Sequence, residues 1–471
     1  MSDQRQAIVD TAKYLQNVRP IDPEEIQDYV EEQPHPGVIK RTLREEAFEL
    51  GLREREDGTF VPAPTGPLDA SVEHVQAFPE RYARVLEDLL VAEFGAGWPE
   101  GESGDRLRER IREVKAAYLE DAAVEYDRLT ALAYAVYHLP DYYAVGQYAL
   151  DSLVEDDRLP SRVRVLDVGA GVGGPALGLL DLLTDAGGIV EYHAVEPGDG
   201  AATVLESVLA ETGPNVHTTI HRDRAETFEA DGEFDLIVFA NVLDELDEPS
   251  SVLRRYADAL AGDGSILALS PADRRTATGL RETERAVEDT YSVYEPTVRL
   301  WPGETPGGEC WSFTREGDLA IPPFQRRLDE ACDDHDHDPG EFVNVDVQYA
   351  YSILRRDDER AIDYVPDQSR VARMADAEGY VTDRINVVGI KLSPDLREDP
   401  DANPVFLVGD GSERIDHFAV LTRESVLNEE LRTSEYGDLL SFENVLALWN
   451  DDEGAYNLVV EAETVVERIP V

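Results

Sequence analysis

Between residues 163 and 174 an apolar run, Val-Arg-Val-Leu, gives way to Asp167-Val168-Gly169-Ala170-Gly171-Val172-Gly173-Gly174, after which an amphipathic stretch resumes. Glycines at this spacing let a backbone turn sharply and approach a ligand closely, and the helix start beyond them offers N–H groups to a polar or anionic group. The string satisfies G-x-G-x-x-G, so a nicotinamide dinucleotide and S-adenosylmethionine are both candidate ligands. The neighbours separate them. Asp167, two residues before the first glycine, is placed to meet the ammonium of a methionine moiety, whereas a dinucleotide site needs no acid there. Glu196, 23 residues after Gly173 at the end of the second apolar run, can accept both ribose hydroxyls of either cofactor. Asp223, after the third run, is placed for an adenine amino group, and Asn241 ends the fourth run, FDLIVFAN. These residues favour S-adenosylmethionine. Displacement at a sulfonium needs orientation and proximity more than an acid-base pair, so no catalytic residue is assigned from a motif.

Other reactive side chains are few. Cys310 and Cys332 are the two cysteines, too few for a disulfide framework and not in a C-x-x-C pair. With His335 and His337 they could in principle form a mixed zinc site, but Cys332-Asp-Asp-His-Asp-His reads better as a solvated acidic loop, and no metal is expected. After the fourth apolar run the chain reads Asn241-Val242-Leu243-Asp244, which is neither the Asn/Asp-Pro-Pro-aromatic pattern of amino-methylating enzymes nor a cysteine placed to attack a pyrimidine. The target atom is therefore open.

These residues need a frame, and the chain's periodicity supplies one. Residues 159–360 alternate β-branched runs (VRVLDVG, GIVEYHAVE, HTTIHRD, FDLIVFAN, SILALSP) with helical stretches, which predicts a doubly wound, Rossmann-like parallel sheet with a loop-rich insertion at 290–341. FVNVDVQYAYSILRRD is expected as a late antiparallel edge strand. Residues 68–158 have helical spacing, broken once near Pro99 to Gly104. Residues 1–65 read as helices at 3–15, 23–32 and 37–52 followed by a hairpin turning at Asp57-Gly58; either a winged helix or a helical domain that merely packs fits this order. Residues 380–471 offer five strands with a helix at 424–432 between the third and fourth, which suits an OB-like barrel or another small β domain. On that domain Phe406, Phe418 and Trp449 are candidate base-stacking rings, of which at most two are expected to be exposed.

At 471 residues, 42% of them apolar, the chain can bury several cores, and it contains no run long and apolar enough to span a bilayer. Its N-terminus has neither a signal nor a transit pattern, so a cytoplasmic location is expected. Asp and Glu number 99 against 43 basic residues, a net charge of −56, and only Lys13, Lys40, Lys115 and Lys391 are lysines. Disorder would require low hydrophobicity, yet the acids interleave with periodic apolar residues. The composition reads as halophilic: in molar salt the Debye length shrinks to about 3 Å and self-repulsion is screened. Net charge then says little about partners.

Six stretches carry a resemblance over residues 125–360: HLPDYYAVGQYAL (138–150), VRVLDVGAGVGG (163–174), FDLIVFANVLDEL (234–246), LSPADRRTATGLRETERAV (269–287), CWSF (310–313) and VQYAYSILRRD (347–357). They resemble the methyltransferase-like proteins of small ribosomal subunit assembly, within the class I S-adenosylmethionine-dependent methyltransferases. The resemblance implies small-subunit rRNA as partner, with no membrane or DNA, and implies that Tyr143 lines the methionine end of the cofactor site. The family's four-cysteine iron-sulfur site cannot be built from two cysteines. The same sequence also suits a non-catalytic cofactor-binding assembly protein or, less well given the extra modules, a small-molecule methyltransferase.

Overall fold

The computed structural model describes residues 3–72, 74–120 and 127–470. The chain falls into two compact units, Met1–Ala240 with Asp258–Gly264 and Gly317–Val347, and Asn241–Ala257 with Ser265–Glu316 and Gln348–Val471. Among the described residues no helix is long and apolar enough to cross a membrane.

The first unit opens with α1 (Asp3–Leu15), α2 (Pro23–Ile26) and α3 (Pro36–Leu50), then the antiparallel hairpin β1 (Leu52–Glu54) and β2 (Phe60–Pro62). Asp22 caps α2 through the Glu24 N–H, and Gly51 ends α3 in the left-handed conformation. Ile21 bridges to Phe60, and Ile8, Leu15, Ile26, Ile39, Leu43 and Leu52 close a core around that pair. The second helix stops well short of the predicted Glu32. Asp28, Glu31 and Glu32 would stand at its C-terminal end, where the helix dipole disfavours acids, and Val30 is already extended.

Helices α4 (Glu80–Phe94), α5 (Gly101–Leu119), α6 (Arg128–Tyr148) and α7 (Asp151–Glu155) follow. Residues 68–72 and 74–79 are not helical as expected but irregular, tied by the Leu68 N–H to the Leu159 carbonyl, and residue 73 lies outside the described residues. The part of the predicted helical run at 121–126 lies outside the described residues, as do residues 1, 2 and 471.

Strands β3 (Arg162–Val168), β4 (Ile189–Val195), β5 (Val216–His221) and β6 (Phe234–Ala240) lie in the order β5-β4-β3-β6, all parallel, with α8 (Gly174–Asp185) after β3 and α9 (Asp199–Leu209) after β4. This is a Rossmann-like arrangement. Helix α6 packs so closely on α8 that a Cβ on Gly178 would fall 1.9 Å from the Tyr143 carbonyl oxygen, and one on Gly146 2.0 Å from that of Pro175.

The second unit holds β7 (Leu260–Pro271) from Ser265 onward, together with α10 (Pro249–Arg255), α11 (Arg274–Ala286), β8 (Ser292–Glu295), β9 (Thr314–Arg315) and β10 (Gln348–Arg355), with which β7 pairs from Ile266. β10 is antiparallel, as expected, but is not an edge: it lies between β7 and β8, with its start on β9. Nearly every residue of β10 is buried, which fits a strand flanked on both sides.

The C-terminal part forms a barrel of β11 (Arg384–Lys391), β12 (Val405–Gly409), β13 (His417–Leu421), β14 (Leu439–Asn450) and β15 (Ala455–Val460), in the order β11-β12-β13-β15-β14, closed by β11 pairing with β14. Only β13 and β15 run parallel. The expected final strand divides in two where the Thr464 hydroxyl accepts the Glu461 N–H, and β16 (Val465–Arg468) pairs back on β14. The intervening helix is shorter than expected, Glu430–Thr433. Val387, Phe406, Val408, Ala419, Phe442 and Leu458 fill the interior.

Pro140 lies inside α6, where it can neither donate to the Val136 carbonyl nor avoid crowding it. Gln325, fully buried on α12 (Pro323–Glu330), supplies the missing donor: its Nε2 reaches the Val136 and Tyr137 oxygens at 2.9 and 3.1 Å, and its Oε1 accepts the Asn344 N–H. Gln325→Leu strands those carbonyls and should destabilise the protein by about 1–3 kcal/mol. Urea denaturation at molar salt checks this, and an unchanged midpoint would show that the carbonyls find other partners.

Candidate functional site

The β3–α8 turn is built from backbone geometry that only glycine adopts without strain. Gly171 has φ +54 with open space where a Cβ would stand, its nearest neighbour being the Gly169 oxygen at 4.0 Å. Gly173, with φ +93, is the N-cap of α8, and a Cβ there would meet Leu205 Cδ1 at 2.6 Å. No side chain caps α8, so its first-turn N–H groups stay available.

Glu196, just past β4, holds this turn. Its Oε2 accepts the Gly171 N–H at 2.9 Å and its Oε1 the Gly198 N–H at 2.6 Å. Each oxygen keeps a further lone pair, as a pair of ribose hydroxyls requires. Burial raises its pKa, and the two N–H groups oppose the shift.

Asp167 is 2% exposed at the end of β3. Its Oδ2 accepts the Tyr192 hydroxyl at 2.6 Å, while its Oδ1 is buried with no hydrogen-bond partner. An unmet buried carboxylate oxygen is costly, and it fits a cation donor such as a ligand's ammonium. Burial pushes this carboxyl up to about 7; the Tyr192 hydrogen bond opposes the shift and the nearby charge of Glu196 adds to it. Tyr192 was not singled out in the sequence. The signal was there: Tyr192, Ala194 and Glu196 share one face of the strand by period-two alternation.

The other predicted residues fall in different places. Asp223 is exposed just beyond β5, at the same end of the parallel strands as the glycine turn. Asn241 follows β6 directly in a left-handed conformation, φ 54, its N–H bonded to the Leu269 oxygen. Tyr143 departs from expectation. Its hydroxyl donates to Asp181 Oδ2 at 2.9 Å, where the Tyr82 hydroxyl (2.7 Å to Oδ1) and Arg81 also converge. Asp181 lies seven residues into α8, roughly 10 Å from its start at 1.5 Å per residue, so Tyr143 anchors helices and does not line the methionine end.

Cys310 is buried, and burial pushes its thiol up to about 12, where it is neither nucleophile nor ready ligand. His337 is engaged by Glu341 (3.1 Å) and Asp329 (3.5 Å), and His335 is exposed. Among the described residues no three His, Cys, Asp or Glu side chains converge as a metal site would require.

Residues 166–266 match the family model of a methyltransferase domain. Residues 5–56 and 375–469 match the N-terminal and C-terminal domains of DUF8157, a family of unknown function. No curated protein matches the chain. Similar solved structures include the plantazolicin methyltransferase BpumL in complex with SAH (10% identity, 44% of this chain and 65% of that one, TM-score 0.25). Another is an S-adenosylmethionine-dependent methyltransferase from Clostridium acetobutylicum (11%, 35% and 57%, TM-score 0.23). A third is the YcgJ protein from Bacillus subtilis (15%, 45% and 99%, TM-score 0.27). This chain thus spans less than two thirds of the first two, and no substrate is taken from any of them. At the centre of the chain, residues 166–266 are thus a methyltransferase-type domain on a Rossmann-like sheet.

A cation beside Asp167 requires the carboxylate, so below pH 7 binding must expel a proton. Affinity for S-adenosylmethionine should therefore rise about tenfold per pH unit up to about 7 and then level off. Calorimetry between pH 5.5 and 7.5 reads this; Asp167→Asn should weaken binding and flatten the profile, and a flat wild-type profile would contradict the assignment.

Proposed function

We propose that this protein transfers a methyl group from S-adenosylmethionine to rRNA of the small ribosomal subunit, its N-terminal helical domain and C-terminal barrel gripping the RNA. Asp167, Glu196 and the glycine turn hold the donor, which supplies the electrophilic methyl carbon. The observation that carries the reading is the barrel's strand order. A first strand paired with both second and fourth, a parallel third and fifth, and a helix between third and fourth is the order of OB-folds that bind single strands. Helix, bridged Ile21, two helices and hairpin is likewise the order of a winged helix.

A net charge of −56 speaks against phosphate neutralisation as the source of affinity. Base stacking depends less on salt and contributes about 1–3 kcal/mol per base. Of the three candidate rings Phe406 is core, Phe418 is half-buried and Trp449 is 40% exposed, its ring 4.9 Å from that of Tyr456. That suits a halophilic cytoplasm, where molar salt screens the acidic surface.

Deleting the gene should remove a specific methyl group from small-subunit rRNA, restored by the full chain but not by a chain ending at Gly379; mapping of rRNA modifications checks this. An unchanged methylation map would overturn the catalytic reading, and one accompanied by defective subunits would favour a non-catalytic assembly role.

A further inference from the structure

Helix α6 is buried almost all round: from Ala131 to Gly146 every residue is buried except Tyr134, Tyr137 and His138. Two close approaches fix its course. The backbone of Asp127 and Arg128 lies against Gly200 on α9, where a Cβ would come within 2.8 Å of it. Further along, a Cβ on Gly174, the first residue of α8, would meet Tyr142 Cβ at 2.7 Å and the His138 oxygen at 3.7 Å. The helix therefore runs from the turn beyond Glu196 to the end of the glycine turn, spanning the edge where the donor is held. Its three accessible side chains lie on that span.

His138 is the reactive one among them. Its ring stacks on Tyr142 (centroids 5.2 Å apart, 14° between planes), with Tyr134 at 4.8 Å and the edge of Tyr137 at 4.9 Å. Nδ1 faces Asp141 Oδ2 at 3.6 Å and the Asn344 side-chain amide at 3.2 Å, and the side chain remains 24% exposed. Asp141 follows one turn later on the same helix, 6% exposed, and its Oδ1 has no hydrogen-bond partner. A carboxylate left unmet in the interior is well placed to stabilise a positive charge that forms beside it.

We propose that His138 accepts the proton that the methyl acceptor loses, with Asp141 and Asn344 orienting its ring and Asp141 stabilising the imidazolium. The proposal rests on the methyl-transfer reading above. As the acceptor's oxygen or nitrogen bonds to the methyl carbon, its proton passes to His138 Nε2, the carbon–sulfur bond breaks, and that electron pair stays on sulfur as a neutral thioether. The acceptor is accordingly a hydroxyl or an N–H group. The Asp141 carboxylate facing Nδ1, toward which the Asn344 side-chain nitrogen also donates, places the hydrogen on Nδ1 and leaves the lone pair on Nε2.

Two measurements test this. In protein labelled with 15N-histidine, the resonance lost in His138→Gln should report the Nδ1–H tautomer in the wild type; an Nε2–H tautomer would overturn the proposal. Separately, tritiated S-adenosylmethionine is incubated with the RNA, protein and small-molecule fractions of an extract from deletion cells. In whichever fraction the wild type labels, His138→Gln should lower kcat by about 10² to 10⁴-fold with S-adenosylmethionine affinity unchanged by calorimetry. Transfer by His138→Gln at the wild-type rate overturns the proposal. Wild-type label outside RNA overturns the rRNA reading while the role of His138 is still decided on the labelled fraction, and no label in any fraction overturns both.

Discussion

The grip of Glu196 on two backbone N–H groups is the constraint on which the rest of the site depends. One carboxylate ties the turn after β3, at Gly171, to the turn after β4, at Gly198, and so fixes the two loops relative to one another. Glycine at 171 and 173 is needed because the turn lies in left-handed backbone conformation and because Leu205 packs where a side chain would stand. With the turn held this way, Asp167 is left at the end of β3 with one oxygen satisfied by Tyr192 and the other waiting for a donor. A site that keeps a costly buried oxygen unmet is prepared for a cation and, by the same chemistry, poorly suited to the pyrophosphate of a dinucleotide.

Helix α6 extends that logic outward. Its glycine contacts with α8 allow backbone-to-backbone approach, and Asp181 satisfies two tyrosines and an arginine at once, so the helix cannot slide. The proline inside it would weaken an isolated helix, yet Gln325 completes its carbonyls and thereby ties the segment carrying Asn344 to the same helix. A rigid α6 is what makes three partly exposed aromatic and imidazole side chains a defined surface.

Much of this was legible in the sequence, for identifiable reasons. Strands buried on both faces write themselves as continuous apolar runs, so β3, β4, β6 and β7 were visible, and Asp167 and Glu196 were singled out because strand ends in this fold are ligand positions. Tyr143 was misplaced because α6 is apolar all round and periodicity cannot say which of its faces meets the ligand. β10 was expected at an edge because its partner β8, only four residues long, gives no readable signal. The last barrel strand was read as one because the turn at Glu461 to Thr464 is made by a threonine side chain and not by Gly, Asn or Pro. Gln325 and Asn344 could not be foreseen, since their meaning comes only from carbonyls and rings far away in the chain.

The central claim is that the Asp167, Gly171 and Glu196 site takes S-adenosylmethionine. Isothermal calorimetry of the full chain in molar potassium chloride, with S-adenosylmethionine and NAD as separate ligands and Gly171→Val as control, tests it most directly. The account predicts stoichiometric binding of S-adenosylmethionine, none of NAD, and loss of binding in Gly171→Val with the fold retained by circular dichroism, because the valine fills space open in the wild type. Binding of NAD without S-adenosylmethionine, or undiminished binding by Gly171→Val, would contradict it.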